Sequence, residues 1–472
     1  MGRRIVIDPV SRIEGRARVT IELDDAGRVV AARLHVTELR GFESICVGRP
    51  LGEMPALTSR ICGICPVSHS LAAARAGDAI LDAPPPPAAV RLRELLQIAQ
   101  VIQSHALSFF FLSAPDFVLG HDAPRVRRSI LGLAEVAPGL VRDGVALRAF
   151  GQGVIERAAG QRIHAAFPVP GGVIRPLERD ARDAIRAALP AALAAAERSL
   201  AWWEGEEPRH AEEAASCGNF PTPFLALVGP GGALSFCTGA LRLLSATGEV
   251  MEDGLDPARY PELIGEEVDG GSYLKSPYWR SLGFPGGAYR VGPLARLNAV
   301  SGCGTPRADR ALAAFRDLAR GPVLSTFHAH RARLVEILYG LERTGELLAD
   351  PELLGREVLA LPGSPREEGV GVCEAPRGTL FHRYRVAGDG TVRYADLLVA
   401  SGQNAVAMGR AVLQAAARWL DGARITPALL NRVESAIRAF DPCLSCSTHA
   451  HGSRVVALRL VGPGGRVLDE AE

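Results

Sequence analysis

The 472-residue chain has almost no lysine. Lys275 is its single lysine, and arginine supplies the rest of the 53 basic residues. Acidic residues number 52, so the two signs nearly cancel and no basic face argues for nucleic acid as a partner. The nine cysteines are too few, and odd in number, for a disulfide scaffold in a chain of this length.

Long apolar runs are also missing. The start, MGRRIVIDPV, lacks the apolar segment of a signal peptide. The longest apolar runs, such as FFFL at 109–112, fall well short of the roughly 18 residues that a membrane span needs. We therefore expect no membrane span and a cytoplasmic, reducing setting, where a CxxC pair binds metal or takes part in catalysis rather than forming a disulfide.

The hydrophobic pattern predicts one mainly helical α+β domain over residues 1–449, with small β-sheets at the N-terminus and periphery. Strand-like alternation with a turn at Asp24–Gly27 predicts an N-terminal sheet, and a second hairpin is predicted around 387–390. Residues 217–305 are rich in Gly and Pro and are predicted to be irregular. Helices are expected near 88–112, 179–204 (interrupted by Pro190), 307–348 and 403–421, and from Thr426, a plausible N-cap, to Phe440.

Two CxxC pairs lie near opposite ends of the chain. RICGICPVSH at 60–69 carries Cys62 and Cys65, and DPCLSCSTHA at 441–450 carries Cys443 and Cys446. Zinc ribbons pair such units across about 15–20 residues, so a site built from these two requires both chain ends to meet. Four thiolates favour a soft or borderline metal, and Arg60 is a candidate cation to offset their charge. Spacing alone cannot separate zinc, an iron–sulfur cluster and a mixed-metal centre.

The two motifs resemble the signatures of the large, catalytic subunit of NiFe hydrogenases. DPVSRIEGRARV at 8–19, RGFE at 40–43 and EAPRGTL at 374–380 resemble further blocks of that family in the same order, so the resemblance covers essentially the whole chain. QSHALSFFFL, RVGPLARLN and GVGVCEAPRGTLFHRY are most similar to the cytoplasmic, bidirectional, NAD-linked type. The chain reads QSH at 103–105 where periplasmic members tend to read HDH, which also favours that type.

The resemblance implies a central helix bundle and a Ni–Fe centre. Cys62 and Cys443 would be terminal ligands of nickel, while Cys65 and Cys446 would bridge nickel to an iron that carries CO and cyanide. The implied reaction is reversible heterolytic cleavage of H2 into protons and electrons.

Four further residues acquire implied roles around this centre. Arg377 matches a guanidinium over the open metal site, and Asp441 is expected to pair with it. Glu14 matches a carboxylate that passes protons outward from a cysteine. His69 matches a histidine that hydrogen-bonds a bridging sulfur.

A second metal, magnesium or iron, is also implied near the C-terminus. Glu43 and His449 match its side-chain ligands, and the backbone carbonyl of Leu397 is the expected third protein ligand. Hard oxygen ligands with one histidine are compatible with either ion.

The expected partners follow from what the chain lacks. It offers no further cysteine set for an iron–sulfur relay and no strand–GxGxxG–helix unit, so we expect no FeS, FMN or NAD site in it. The resemblance implies a flavin/NAD diaphorase module, an iron–sulfur small subunit, nickel-insertion factors and a maturation endopeptidase. That endopeptidase is expected to remove the C-terminal extension, residues 450–472, which also reads as a β-hairpin.

Other functions remain open from the sequence. A deazaflavin-linked hydrogenase, or one using another acceptor, would differ only in its redox partner, and a regulatory H2 sensor would keep the same cysteines. A structural zinc protein would need only the four thiolates. A quinone-linked relative of complex I would keep the fold but lack those cysteines, which counts against it.

Overall fold

Four long helices form the centre of the molecule. The computed structural model describes residues 3–268, 271–422 and 424–449, and the backbone of two strands at 458–461 and 467–471. Helices α4 (Pro87–Ala106), α7 (Pro138–Ala159), α8 (Arg179–Glu206) and α13 (Ala329–Ala349) pack against one another and bury the largest apolar core. The mainly helical α+β class predicted from the pattern is confirmed.

The helices are numbered in chain order. They are α1 Phe42–Cys46, α2 Met54–Ser59, α3 Pro66–Leu81, α4 Pro87–Ala106, α5 Ala114–Leu119, α6 Ile130–Val136, α7 Pro138–Ala159, α8 Arg179–Glu206, α9 Ala211–Ser216, α10 Tyr260–Leu263, α11 Pro293–Ala299, α12 Pro306–Arg316, α13 Ala329–Ala349, α14 Ala400–Gln403, α15 Ala405–Leu420, α16 Pro427–Phe440 and α17 Leu444–Ser447. A π-helical segment, Leu107–Ser113, joins α4 to α5.

The strands form small antiparallel sheets around this bundle. The three-stranded sheets are β1–β2–β3, β6–β7–β8 and β11–β12–β13, and the two-stranded ones are β4–β5, β9–β10 and β14–β15. The strands are β1 Arg3–Ile7, β2 Ala17–Leu23, β3 Val29–Val36, β4 Pro168–Val169, β5 Gly172–Val173, β6 Phe224–Val228, β7 Ala240–Leu244, β8 Val250–Leu255, β9 Ile264–Val268, β10 Lys275–Trp279, β11 Glu368–Ala375, β12 Gly378–Val386, β13 Val392–Leu398, β14 Leu458–Val461 and β15 Val467–Ala471.

Both predicted hairpins are confirmed. The Asp24–Gly27 turn joins β2 to β3, and the Gly390 N–H donates to the Ala387 carbonyl in the turn between β12 and β13. Thr426 is the N-cap of α16, because its side chain accepts from the Leu429 N–H. In the C-terminal extension, β14 and β15 pair as a hairpin; residues 450–457 and 462–466 lie outside the described residues.

Three secondary-structure predictions were wrong. Pro190 does not interrupt α8, because the proline lies on the exposed face while the opposite face packs into the core. The helix predicted over 307–348 is two helices, α12 and α13, separated around Gly321 and Pro322. Residues 217–305 are not irregular throughout, since they contain β6–β10 and α11.

One helical stretch in the described part of the chain is long and apolar enough to cross a membrane. It runs over Pro87–Leu119, and 83% of its most apolar window is buried inside the protein. Such burial is typical of a core helix, so this stretch does not indicate a membrane span.

Candidate metal centre

The four CxxC cysteines meet in the interior, as their spacing predicted. Their sulfurs all lie within 4.8 Å of one another. The Cys62 and Cys443 Sγ atoms are 3.2 Å apart, and the Cys65 and Cys446 Sγ atoms are 3.7 Å apart. All four side chains are buried and carry free thiols. The two chain ends therefore build one compact set of four sulfur ligands.

The first CxxC pair is fixed by the helices on either side of it. Cys65 is the N-cap of α3, and Pro66 occupies the first turn, where its missing N–H leaves no bond unmade. From α4, the Gln100 and Gln103 side-chain amides both donate to the Ile64 carbonyl, at 2.5 and 2.7 Å. These two hydrogen bonds fix the loop that carries the first CxxC pair against α4.

Strand β11 supports the other face of α3 through two glycines. A Cβ on Gly371 would lie 1.9 Å from the Ala72 carbonyl oxygen, and one on Gly369 would lie 2.5 Å from that of Ala76. Only glycine allows the strand to approach the helix backbone this closely. The GVGV sequence thus places β11, and the Arg377 turn after it, beside the sulfurs.

The second CxxC pair follows α16 directly. The helix ends at Asp441, whose backbone is left-handed (φ 53°), and the Cys443 N–H donates to Ser401 Oγ at 2.7 Å. Glu14 lies alongside: its Oε2 accepts from the Ser445 N–H at 3.1 Å, and its carbonyl accepts from the Leu444 N–H at 3.2 Å. Glu14 is half-buried, so the N-terminal segment forms part of the wall of the site.

An ion cluster anchors that N-terminal segment to α16. Asp116 pairs with both Arg12 and Arg438, and the Arg438 Nη1 also donates to the Ser11 carbonyl at 3.1 Å. Burial raises the pKa of Asp116, and the two guanidinium groups outweigh it, so that pKa falls well below its usual value. The carboxylate is therefore charged and holds both arginines.

Replacing Gly15 by alanine is expected to weaken this junction. Gly15 has a positive φ of 81°, and an added Cβ would lie 2.8 Å from Leu444 Cβ. The left-handed backbone alone costs an L-residue about 1–2 kcal/mol, and the clash adds to it. Gly27→Ala is a matched control, because φ is 78° there and its nearest neighbour atom is 4.0 Å away. We expect Gly15→Ala to lower the Tm and the nickel content of the purified protein more than Gly27→Ala; equal losses would contradict a tight contact at Gly15.

Arg377 supplies the cation next to the sulfurs, and the expected pairing with Asp441 is present. The Arg377 Nε donates to the Asp441 carbonyl at 2.6 Å, and Nη2 lies 3.2 Å from Asp441 Oδ1. Burial by itself lowers the pKa of Arg377, but Asp441 and the thiols of Cys443, Cys65 and Cys62 outweigh it and hold that pKa above its usual value. Arg60, the other candidate cation, is exposed.

Ser104 occupies the position where the aspartate of HDH would stand. Its Oγ accepts from Arg377 Nη1 at 3.4 Å. Among the described residues, Asp441 is then the one carboxylate in an ion pair with Arg377. His105, the third residue of QSH, is turned away and bonds Glu336 instead, at 2.7 Å.

His69 lies in the first turn of α3 and faces the sulfurs. A hydrogen bond from His69 favours the thiolate form of Cys65, although the hydrogen bonds from Cys443, Cys446 and Cys62 contribute more to lowering the pKa of Cys65. Burial, in contrast, raises the pKa of Cys443 and of Cys446. Four thiolates in this interior therefore need a bound cation to coexist.

Glu43, His449 and Leu397 come together in a second polar group. His449 Nδ1 lies 3.0 Å from Glu43 Oε2. For Leu397, the observed contact is its N–H, not its carbonyl, donating to Glu43 Oε1 at 2.9 Å. Burial raises the pKa of Glu43, while His449 and Lys275 outweigh it, so the carboxyl has a lowered pKa. The arrangement places one carboxylate and one imidazole within reach of a single ion.

Sequence reasoning missed Ser401 and Lys275. Ser401 anchors the Cys443 N–H and lines the cavity beside the sulfurs, and nothing in its sequence context marks it. Lys275 Nζ lies 2.9 Å from Glu266 Oε2, and its charge also acts on Glu43. The sequence did single out Lys275, because the chain has no other lysine.

The sulfur arrangement fits a metal-binding centre. Four thiolates at about 2.3 Å from one ion would place their sulfurs about 3.8 Å apart in a tetrahedron. The observed sulfur pairs at 2.7, 3.2 and 3.7 Å are as close as this or closer, so the four sulfurs are near enough to share one metal centre. A cavity of about 10 Å³ adjoins Cys65, Cys443 and Cys446. Its other lining residues are Ala375, Pro376, Leu380, Val399, Ala400, His69, Arg377 and Ser401.

Two models of known protein families match this chain. The model of the family described as "Nickel-dependent hydrogenase" matches residues 40–125 and 253–449, and a "HoxL-like" model matches residues 4–39. The chain belongs to the nickel-dependent hydrogenase family. It is a large subunit of a NiFe hydrogenase, an oxidoreductase, and the four sulfurs are positioned for its Ni–Fe site.

The similar proteins cover 88–100% of this hydrogenase subunit. The NAD-reducing hydrogenase HoxS subunit beta of Cupriavidus necator is 39% identical, over 100% of this chain and 99% of its own length. One chain of the F420-non-reducing hydrogenase vhu of Methanococcus voltae is 39% identical over 88% of this chain and 98% of its own. A crystal structure of a NAD+-reducing [NiFe]-hydrogenase in the H2-reduced state superposes with a TM-score of 0.92 and 45% identity, covering 95% of this chain and 99% of that one. The predicted hydrogenase fold is thereby confirmed.

Proposed function

We propose that this chain is the H2-cleaving subunit of a cytoplasmic, NAD(P)-linked hydrogenase. The observation that carries this proposal is the set of four buried sulfurs with the Arg377 guanidinium at the cavity beside them. Full-length similarity to a NAD-reducing subunit supports the choice of acceptor. Electrons would leave through an iron–sulfur small subunit to reach a flavin/NAD diaphorase module.

Cys62, Cys65, Cys443 and Cys446 would hold a Ni–Fe centre, with Cys65 and Cys446 as the bridging pair. When bound, this centre supplies the metal site at which H2 is split and its electrons are taken up. The apolar side of the adjoining cavity suits CO on the iron, and Arg377 and Ser401 are the polar groups available to cyanide. Four sulfur donors would also suit a structural zinc ion, and the match to the nickel-dependent hydrogenase family supports nickel instead.

The chain's own residues would position charge and protons. Asp441 holds Arg377, so that its positive charge lies over the cavity. Glu14 is placed to accept a proton at its carboxylate oxygens, because it lies against the Cys443–Cys446 segment while Gly15 and Arg16 next to it are exposed. Protons would therefore leave on the N-terminal side of the site.

We also propose a second, non-catalytic metal, magnesium or iron, bound by Glu43 and His449. This metal would join the N-terminal segment to the end of the mature chain. Leu397 would contribute its carbonyl, because the N–H and C=O of one strand residue point to the same side of the strand and its N–H faces Glu43. Removal of residues 450–472 by a maturation endopeptidase after nickel insertion would leave His449 as the C-terminus.

Metal analysis and infrared spectroscopy of the purified complex test the proposal together. We expect about one nickel per chain, as one four-thiolate site predicts, together with iron and with infrared bands of CO and cyanide. Reduction of NAD(P)+ by H2 should accompany them. Zinc alone, without those bands, would exclude the Ni–Fe centre.

A different electron acceptor is the second candidate. The Methanococcus voltae relative is as similar in identity and is named as F420-non-reducing. In that case the metal and infrared results would be unchanged, and H2 oxidation would proceed with viologen dyes but not with NAD(P)+. A regulatory H2 sensor would instead show the bands with only trace turnover.

A further inference from the structure

His382 and Tyr384 extend a row of hydrogen bonds from His69 into the core, on the side away from the sulfurs. His69 Nδ1 lies 3.1 Å from His382 Nε2, and His382 Nδ1 lies 2.7 Å from the Tyr384 hydroxyl. The three side chains are at most 1% exposed. A row of polar contacts thus runs from Cys65 through two imidazoles to a phenol.

The secondary structure explains why these side chains meet. His382 and Tyr384 are two residues apart on β12, so they lie on the same face of the strand. That face packs against α3, whose first turn carries His69. Buried polar groups at such positions need partners, and each of these has one.

The direction of the hydrogen bonds follows from the sulfur end. Cys65 binds metal as a thiolate, so the His69 nitrogen facing it must carry the proton. In the tautomer with this proton on Nε2, the His69 Nδ1 accepts, and the His382 Nε2 is the donor. The His382 Nδ1 then accepts from the Tyr384 hydroxyl. Burial lowers the pKa of His382, which agrees with a neutral ring.

We propose that His382 and Tyr384 are positioning residues that set the tautomer of His69, so that its Nε2–H is directed at the Cys65 sulfur. This inference rests on the proposed role of Cys65 as a bridging ligand. The three successive contacts, Tyr384 to His382, His382 to His69 and His69 to Cys65, would keep a donor on that sulfur. Such outer partners of a metal ligand set its basicity, and their loss typically costs about 10–100-fold in activity.

Infrared spectroscopy of the H2-reduced complex reports directly on the Cys65 sulfur. Losing a donor leaves more electron density on the sulfur, which the metals pass to CO, and the CO band moves to lower wavenumber. We expect His69→Leu and His382→Leu to shift this band in that direction, with H2 uptake lower by about 10–100-fold. Tyr384→Phe should shift the CO band less. In that variant the His382 ring stays in place, but no hydroxyl fixes its tautomer.

Two comparisons separate tautomer control from packing. His382→Gln should restore the wild-type band, because its side-chain amide can donate to His69 from nearly the same position as the ring Nε2–H. Tyr339→Phe removes another buried hydroxyl, bonded to the Leu234 carbonyl at 2.9 Å, and should leave the band unmoved.

The same spectra test the roles of His382 and His69 separately from the hydrogenase assignment. A shift in His69→Leu with none in His382→Leu would overturn the role of His382 while leaving His69 and the hydrogenase assignment intact. Unmoved bands in both variants would overturn the hydrogen bond from His69 to Cys65 on which the inference depends. Absence of CO and cyanide bands in the wild-type complex would instead refute the proposed function.

Discussion

Cys446→Ser is expected to abolish H2 uptake and to leave the protein without nickel. The Cys446 sulfur lies 2.7 Å from that of Cys443 and 3.7 Å from that of Cys65, so it belongs to both halves of the site. A serine oxygen is a hard ligand that deprotonates far less readily than a thiol, and it cannot replace a thiolate on nickel. Metal analysis and an H2-uptake assay on the purified complex measure both effects.

The same variant tests the proposed processing of the C-terminus. If cleavage after His449 follows nickel insertion, mass spectrometry should find the wild-type subunit ending at His449 and the Cys446→Ser subunit retaining residues 450–472. Cys303→Ser is the matched control, because Cys303 is also buried but lies outside the sulfur cluster. It should keep nickel, activity and processing. Normal H2 uptake by Cys446→Ser would remove that residue from the metal site.

Most of the site could be predicted because its parts are motifs whose chemistry is local. The CxxC spacing indicates paired sulfurs whatever the fold, and the resemblance placed Arg377 beside Asp441 and Glu43 beside His449, as the structure has them. The hydrogen bond from the Leu397 N–H to Glu43 was not predicted, because which strand residues face a given neighbour depends on sheet register, which no single-sequence pattern gives.

The errors in the fold have a common cause, which is tertiary packing. Pro190 removes one helical hydrogen bond and costs about 3 kcal/mol in a helix interior. The buried face of α8, including Ile185, Leu189 and Ala192, offsets this cost. Strand β6, FLALV, is buried along its whole length and so lacks the alternation that marks a half-exposed strand. Its neighbours, not its own pattern, make it a strand.

The position of Ser401 could not have been predicted from sequence for a similar reason. Its hydroxyl matters because α14 brings it within 2.7 Å of the Cys443 N–H, 42 residues along the chain. Serine is common at helix starts and in loops for purely local reasons. Only the approach of α14 to the second CxxC pair distinguishes this serine from the others.

Arg377→Lys is expected to reduce turnover by about 10²–10³-fold, the usual effect of removing one preorganised charge or donor from an active site, while nickel and iron remain bound. Arg377 uses three nitrogens at once: Nε and Nη2 donate to Asp441 and Nη1 to Ser104. A lysine ammonium is a single point on a flexible stem. It can satisfy Asp441 or face the cavity, but it cannot do both.

The residues around Arg377 make this loss specific to turnover. Because a serine, Ser104, and not a carboxylate contacts Arg377 Nη1, Asp441 is the one carboxylate ion-paired with Arg377 among the described residues. It will draw a lysine ammonium away from the sulfurs. Arg93→Lys is the control, since Arg93 is equally buried and forms a two-point pair with Asp78. That variant should lower the Tm without lowering the kcat of the folded enzyme. Near-normal kcat in Arg377→Lys, with the metals retained, would show that the cavity needs only a positive charge and not a fixed guanidinium.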